Sequence, residues 1–307
     1  MYKVFAFYDI TPVENPQEKV AAWHQYFKNK DVKGRIYIAH EGINAQMSCH
    51  ESVECEAWIK EQFPNTDIKV HHYDEHPFAR LTIKERKQLV ALDRPVDFSL
   101  QAKHATPEEW KTMLESRDEE TIILDVRNDY EWDVGHFEGA QKPKMDTFRE
   151  FDALAEKLAE TKDKNTRILM YCTGGIRCEF FSPLLKERGF NNLFQLKGGV
   201  IGYGLHEGHD HWKGNLFVFD DRMVVPLAEE KQAPIAKCHQ CGIPSDTYYN
   251  CACMDCNELF TSCPSCASAL KGCCSEKCME APRLRAFQPS ERVRPYRRLT
   301  QLEKAIL

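Results

Sequence analysis

The sequence predicts an α/β protein in three parts: a small α+β module, a domain built on a parallel sheet, and a cysteine-rich metal-binding end. Three observations carry this. Strand-like and helix-like runs follow one another as β-α-β-β-α-β through residues 1–73. After residue 104, apolar strands alternate with helices, the pattern of a parallel sheet covered on both faces. Ten of the 14 cysteines then fall between Cys238 and Cys278, in closely spaced pairs.

In the first module, residues 3–8 alternate with aromatics like a strand, and Pro16 opens a helix carried by Val20, Trp23 and Phe27. Residues 35–39 and 43–48 read as strands joined by the turn at His40-Glu41-Gly42. A second helix places Cys55, Trp58, Ile59 and Phe63 on one face, and residues 68–72 give the last strand. This order is that of a ferredoxin-like or acylphosphatase-like fold, which names no function by itself. His40, Glu41 and Asn44 are polar enough for acid–base chemistry or RNA contact, but a hairpin turn accounts for them. Residues 79–92 read as an extension of this module, and 93–103 as a linker.

The second domain opens at Thr106-Pro107-Glu108-Glu109, an N-cap with proline at the first helical position and acids in the first turn. Strands are expected at 121–126, 168–171 and 193–196, with a helix at 151–158. Directly after the strand at 168–171 stands Cys172-Thr173-Gly174-Gly175-Ile176-Arg177-Cys178, followed by a helical pattern. A cysteine there meets converging backbone N–H groups and the positive end of a helix, a cradle that favours a thiolate or persulfide. Arg177 is expected to add a full positive charge at the mouth. Cys172 is the candidate nucleophile, with Thr173, Gly174, Gly175, Ile176 and Arg177 as its anion cradle. A buried core cysteine is the plain alternative. Cys178 either resolves a Cys172 persulfide or packs in the first helical turn. The glycine-rich stretch 198–204 lacks dinucleotide-site spacing, and His206, His209 and His211 read as a polar loop.

At the C-terminal end the pairs are Cys238/Cys241, Cys251/Cys256, Cys263/Cys266 and Cys274/Cys278. Eight thiolates at this spacing suit two tetrahedral structural zinc sites. A cross-braced arrangement would join the first pair to the third and the second to the fourth; spacing alone leaves this open. Two cysteines are spare, with Cys253 and one of Cys273 or Cys274 as candidates. The tail carries Arg283, Arg285, Arg292, Arg294, Arg297, Arg298 and Lys304, with Phe287 and Tyr296 between them. It either pairs with RNA phosphates and stacks on bases or is simply solvated.

The expected boundaries are 1–92 for the first module, 93–103 for the linker, 104–230 for the parallel-sheet domain, 231–282 for the zinc-binding domain and 283–307 for the basic tail. Hydrophobic and charged contents of 42% and 29% are those of a soluble globular chain. No run is long and apolar enough to span a bilayer, so no membrane partner is expected and the cytoplasm is the default compartment. Residues 1–230 hold 30 Lys and Arg against 40 Asp and Glu, whereas residues 231–307 hold 11 against 7. This acidic body with a basic end is compatible with nucleic-acid binding. No flavin motif, nicotinamide motif or P-loop is present.

Asp125-Val126-Arg127, Glu131, Gly135-His136-Phe137-Glu138-Gly139-Ala140, the loop from Cys172 to Arg177, and Leu196-Lys197-Gly198-Gly199 resemble the rhodanese domain. The resemblance implies that Cys172 becomes a persulfide held by the loop amides. It implies too that Asp125 and Arg127 buttress the loop, while Glu131 and His136 are structural. Taken with the N-terminal module and the cysteine-rich end, nearly the whole chain resembles the rhodanese-like tRNA uridine hydroxylases. That resemblance implies conversion of the wobble uridine of tRNA to 5-hydroxyuridine with molecular oxygen, with Cys172 essential. Phe180-Phe181-Ser182-Pro183 departs from the small residues expected after the loop, and Pro183 is expected to bend the helix or leave a carbonyl unpaired. Cys253 is also additional. Sulfur transfer to tRNA or to a small acceptor is one alternative; a zinc-stabilised interaction protein with an inert rhodanese module is another. The intact Cys172 weighs against the second, and the accessory modules weigh against a small acceptor.

Overall fold

A computed structural model describes residues 1–287 of the chain. The expected tail contacts at Arg292, Arg294, Tyr296, Arg297, Arg298 and Lys304 lie outside the described residues. The chain divides into two compact units. One comprises Met1–Trp132, Phe137–Trp212 and Leu227–Glu229; the other comprises Asp133–His136, Lys213–Pro226 and the chain from Glu230 onward.

The first unit begins with β1 (Tyr2–Asp9), α1 (Pro16–Phe27), β2 (Val32–Ala39), β3 (Gly42–His50), α2 (Cys55–Gln62), β4 (Lys69–Tyr73) and β5 (Leu81–Glu85). These strands form one sheet in the order β4-β1-β3-β2-β5. The first four pair antiparallel, as the β-α-β-β-α-β order predicts. β5, within the segment read only as an extension, adds a fifth strand parallel to β2. Both helices cover one face of the sheet, where Phe5, Phe7, Ile36, Ile38 and Met47 meet Trp23, Phe27, Trp58 and Phe63. Trp23 and Trp58 pack edge to face at 5.1 Å, a favoured geometry for aromatic pairs. Gly42 (φ +146°) starts β3 where a Cβ would lie 2.1 Å from the Asp9 carbonyl oxygen, so only glycine closes this hairpin.

The same unit continues with β6 (Lys103–Ala105), α3 (Pro107–Glu115), β7 (Ile122–Asp125), α4 (Asp129–Val134) and β8 (Gly135–Phe137), of which residues 133–136 belong to the second unit, then α5 (Phe151–Thr161), β9 (Ile168–Tyr171), α6 (Ile176–Glu187), β10 (Leu193–Leu196) and α7 (Gly199–Glu207). α3 has the predicted start: the Thr106 hydroxyl accepts from Glu109 N–H (3.2 Å) while the Glu109 carboxylate accepts from Thr106 N–H (2.8 Å). A four-stranded parallel sheet runs β6-β10-β9-β7. β7 and β9 are buried at every position, as near-continuous apolar runs covered on both faces.

In the second unit, β11 (Trp212–Gly214), which begins at the boundary, precedes the short hairpin of β12 (Leu216–Phe217) and β13 (Val224–Val225). β14 (Tyr248–Asn250) pairs with β15 (Leu259–Thr261), followed by α8 (Pro264–Ala269) and α9 (Glu276–Met279). The core here is small, built on Tyr249, Phe260, Ala267 and the buried Cys251, Cys253 and Cys273. No helix among the described residues is long and apolar enough to cross a membrane.

Candidate active site and metal centres

β9 delivers Cys172 to the carboxyl end of the parallel sheet, where folds of this class bind ligands. The Cys172 side chain is 1% exposed. Gly175 N–H donates to its sulfur at 3.2 Å, and Gly175 takes φ +104° to aim that donor. Burial pushes the Cys172 thiol up, but the thiol and backbone N–H of Cys178, the Arg177 charge and Gly175 N–H outweigh it, bringing the pKa down to about 6. Cys178 is equally buried; burial and the neighbouring Cys172 push its own pKa well up. The pair is thus one sulfur that ionises readily and one that donates to it.

The surroundings of the loop are built from paired charges. Arg127 grips Asp125 with two hydrogen bonds of 2.8 and 2.6 Å, both side chains being fully buried. The Tyr171 hydroxyl donates to the same carboxylate at 2.6 Å. Arg127 also lies 5.2 Å from the Trp212 ring centre, a cation–π contact that suits a guanidinium. Arg177 is not the open charge at the mouth that the sequence suggests. Its guanidinium donates to both oxygens of Glu131 (2.5 and 2.9 Å) and to the Thr173 hydroxyl (3.0 Å). A buried guanidinium at this position requires a carboxylate, and α4 supplies it. Burial opposes ionisation of Glu131, and Arg177 overrides that, holding its pKa below the usual carboxylate range. Ile176 packs its side chain toward the core under the loop, and Gly174 has nothing within 4 Å of where a Cβ would sit. The cradle is therefore open at Gly174.

Several residues around the loop have contacts to it that the sequence does not assign. Gly199 (φ +64°) begins α7 where a Cβ would lie 2.6–2.7 Å from the backbone of Cys172, Thr173 and Gly175. From there Val200 N–H and Ile201 N–H donate to the carbonyls of Cys172 and Thr173 at 2.9 and 3.0 Å. The glycine-rich stretch is thus a brace for the loop. Tyr8, from the first module, stands over Gly175, with its hydroxyl 2.9 Å from where a Cβ would be. That hydroxyl donates to Glu179 at 2.8 Å, and His104 Nε2 and Gln195 Nε2 reach the same carboxylate at 2.8 and 3.0 Å. Tyr8 is invisible as a site residue because its partner lies 171 positions away.

Pro183 does not break α6. The carbonyl that it leaves without a helical donor is that of Glu179, four residues earlier, and the Gln101 side-chain amide donates to it at 3.1 Å. His40 and Glu41 are spent locally: a His40 ring nitrogen meets the Val13 carbonyl at 3.1 Å, and Glu41 accepts from Leu89 N–H at 2.6 Å.

In the second unit the cysteines sort into two groups of four, Cys238/Cys241/Cys263/Cys266 and Cys251/Cys256/Cys274/Cys278, each with sulfurs within 4.8 Å of one another. The first pair joins the third and the second joins the fourth. Cys253 and Cys273 are left over and pack in the core. Sulfur separations of 3.8 Å (Cys241–Cys263), 3.7 Å (Cys256–Cys274) and 3.7 Å (Cys274–Cys278) match the edge of a tetrahedron, about 3.8 Å for a metal–sulfur bond of about 2.3 Å. Backbone N–H groups of Cys266 and Cys274 donate to Cys263 and Cys251 sulfurs at 3.4 Å each, as around metal thiolates. The donor set and its spacing fit a tetrahedral thiophilic ion in each group. Of the basic tail, Arg283 pairs with Asp255 and Arg285 donates to the Cys251 carbonyl, so both are engaged by this unit itself.

Comparison with known proteins covers all these parts. Residues 2–89 match the UPF0176 acylphosphatase like domain, residues 106–205 the rhodanese-like domain, and residues 213–279 the rhodanase C-terminal family. A solved rhodanese-like domain from Anabaena is 25% identical, covering 36% of this chain and 78% of that one, with a TM-score of 0.30. A tRNA uridine(34) hydroxylase of Chlamydia muridarum is 51% identical over 304 residues, 97% of this chain and 92% of that protein. One from Chlamydia caviae is 48% identical over 310 residues, 99% and 93% of the two chains. With identity of this order over nearly the full length of both chains, the chain belongs to the tRNA uridine(34) hydroxylase family.

Proposed function

We infer that this protein hydroxylates uridine 34 of tRNA to 5-hydroxyuridine with molecular oxygen, and that Cys172 is its essential residue. One observation carries the reading. Cys172, poised to ionise near neutral pH beside the open cradle at Gly174, lies within a chain about half identical over nearly its full length to tRNA uridine(34) hydroxylases. The 173–177 loop positions the sulfur, and the Arg177–Glu131 and Arg127–Asp125 pairs hold the loop. Cys178 keeps the neighbouring thiolate hydrogen-bonded.

The net reaction replaces the C5 hydrogen of the base by hydroxyl. Oxygen supplies the new atom, its second atom leaves as water, and two electrons are required. A pair of thiols oxidised to a disulfide balances this: C–H + O2 + 2 RSH gives C–OH + H2O + RSSR. The two four-cysteine groups hold zinc as a structural ion that replaces a hydrophobic core. Free thiols and metal thiolates suit a reducing cytoplasm, where the tRNA substrate resides.

The test incubates purified protein with a U34-containing tRNA and dithiothreitol under 18O-labelled oxygen, followed by nucleoside mass spectrometry. We expect 5-hydroxyuridine carrying the label, and no product from the Cys172→Ser protein. In a parallel reaction with thiosulfate as sulfur donor and no dithiothreitol, a thiolated nucleoside would assign the loop to sulfur transfer instead.

A further inference from the structure

The five-stranded sheet of the first module has two unlike faces. Phe5, Phe7, Ile36, Ile38 and Met47 lie under the helices. The alternate positions lie on the other face. The strand register sets them in cross-strand rows. One row runs Tyr8–Asn44–Tyr37–Lys84, crossing β1, β3, β2 and β5. The next places Gln46 beside Arg35. None of the six is buried, and Arg35 and Lys84 are exposed. Arg86, directly after the end of β5, lies 4.6 Å over the Tyr37 ring.

The chemistry of this face is selective. These rows combine cations, aromatic rings and side-chain amides, and none of these residues is acidic. Glu85, between Lys84 and Arg86, turns to the other face, where it accepts from the Gln17 amide of α1 at 2.7 and 2.8 Å. Asp31 and Asp67, which flank the strands, are engaged, Asp31 in a hydrogen bond with His76 and Asp67 in an ion pair with Lys69. A face whose own strand residues in these rows include no carboxylate, in an acidic chain, with a guanidinium stacked on a ring, carries the groups that bind single-stranded nucleic acid. Cations track the phosphates, rings stack on unstacked bases, and amides reach base edges. The row also has a direction. Its first member, Tyr8, stands over Gly175, next to Cys172, and Tyr37 lies two strands away, about 10 Å.

We propose that this helix-free face binds the single-stranded anticodon loop of the substrate tRNA. A base next to the target uridine stacks on Tyr37, the phosphates lie along Arg35 and Lys84, and the target base passes Tyr8 to reach Cys172. The proposal rests on the tRNA reading above and assigns the contact to the first module rather than to the basic tail.

The test measures binding of the full-length protein to a fluorescent anticodon stem-loop RNA with U34, by anisotropy across a salt series. The variants are Arg35→Glu/Lys84→Glu, Tyr37→Ala and Tyr37→Phe. We expect the double charge reversal to weaken binding at least about tenfold and flatten its salt dependence. Tyr37→Ala should weaken binding about tenfold, with Tyr37→Phe restoring it, since the ring is what stacks. Thermal melting and the rate of Cys172 alkylation by iodoacetamide serve as folding controls and should match the parent. Unchanged RNA binding in well-folded charge-reversed protein overturns this proposal alone and leaves the tRNA reading standing. Failure of the parent protein to bind the stem-loop overturns both.

Discussion

At the scale of single residues, the account turns on how a sulfur with almost no solvent contact becomes an anion. Burial alone would hold Cys172 neutral; the Cys178 thiol and N–H, the Arg177 charge and Gly175 N–H reverse that. With the pKa lowered to about 6, the thiolate is present above that pH and lost below it. Alkylation of Cys172 by iodoacetamide should therefore rise with an inflection near pH 6, well below that of a free cysteine. Cys178→Ala removes a hydrogen bond that stabilises the thiolate, so its inflection should move to higher pH. An unmoved inflection would mean that Arg177 and Gly175 set the ionisation without Cys178. Glu131→Gln leaves the Arg177 guanidinium buried without its counter-charge, and should lower unfolding stability by roughly 3–5 kcal/mol in denaturant titrations.

At the scale of elements, the loop is a strand end, a helix start and a second helix start held together. Gly199 sits where any side chain would displace the backbone of Cys172 and Gly175. Gly199→Ala should thus abolish modification while leaving the metal content of the cysteine-rich end unchanged, measured by nucleoside and metal analysis on one preparation. Pro183 stays inside a helix because Gln101 supplies the missing donor. Gln101→Leu leaves that carbonyl unpaired and should cost about 1–3 kcal/mol, read as a lowered melting temperature. These elements also mark the limits of what the sequence discloses. The β-α-β-β-α-β order, the N-cap and proline that open the helix at Thr106 and the strand-loop-helix around Cys172 are local patterns, and they are legible. The Gln101 cap, the Gly199 brace, the Glu131 counter-charge and Tyr8 over Gly175 are meetings of distant segments. No spacing rule encodes them. β5 was equally hidden, since a parallel edge strand beside β2 is fixed by its partner more than by its own short run.

At the scale of the whole molecule, the three parts keep their order for different physical reasons. Two are held by apolar cores, and the cysteine-rich end has only a small one beside its two sets of thiolates. A small core beside two sets of four thiolates predicts folding that is coupled to a bound metal. Zinc content should be two ions per chain, and a strong chelator should unfold this end, seen as loss of zinc together with new protease cleavage after residue 230. Retention of protease resistance in the zinc-free protein would contradict that coupling. The grouping of the cysteines was only half legible: spacing offered eight candidate ligands, and folding decided which four come together.

The central claim is that Cys172 supports hydroxylation of uridine 34. The most direct measurement is nucleoside mass spectrometry of bulk tRNA from a host lacking its own uridine 34 hydroxylase, expressing either this protein or its Cys172→Ser variant at equal levels. The account predicts that 5-hydroxyuridine and its derivatives appear with the parent protein under air and are absent with the variant. Equal 5-hydroxyuridine in the two strains would contradict it.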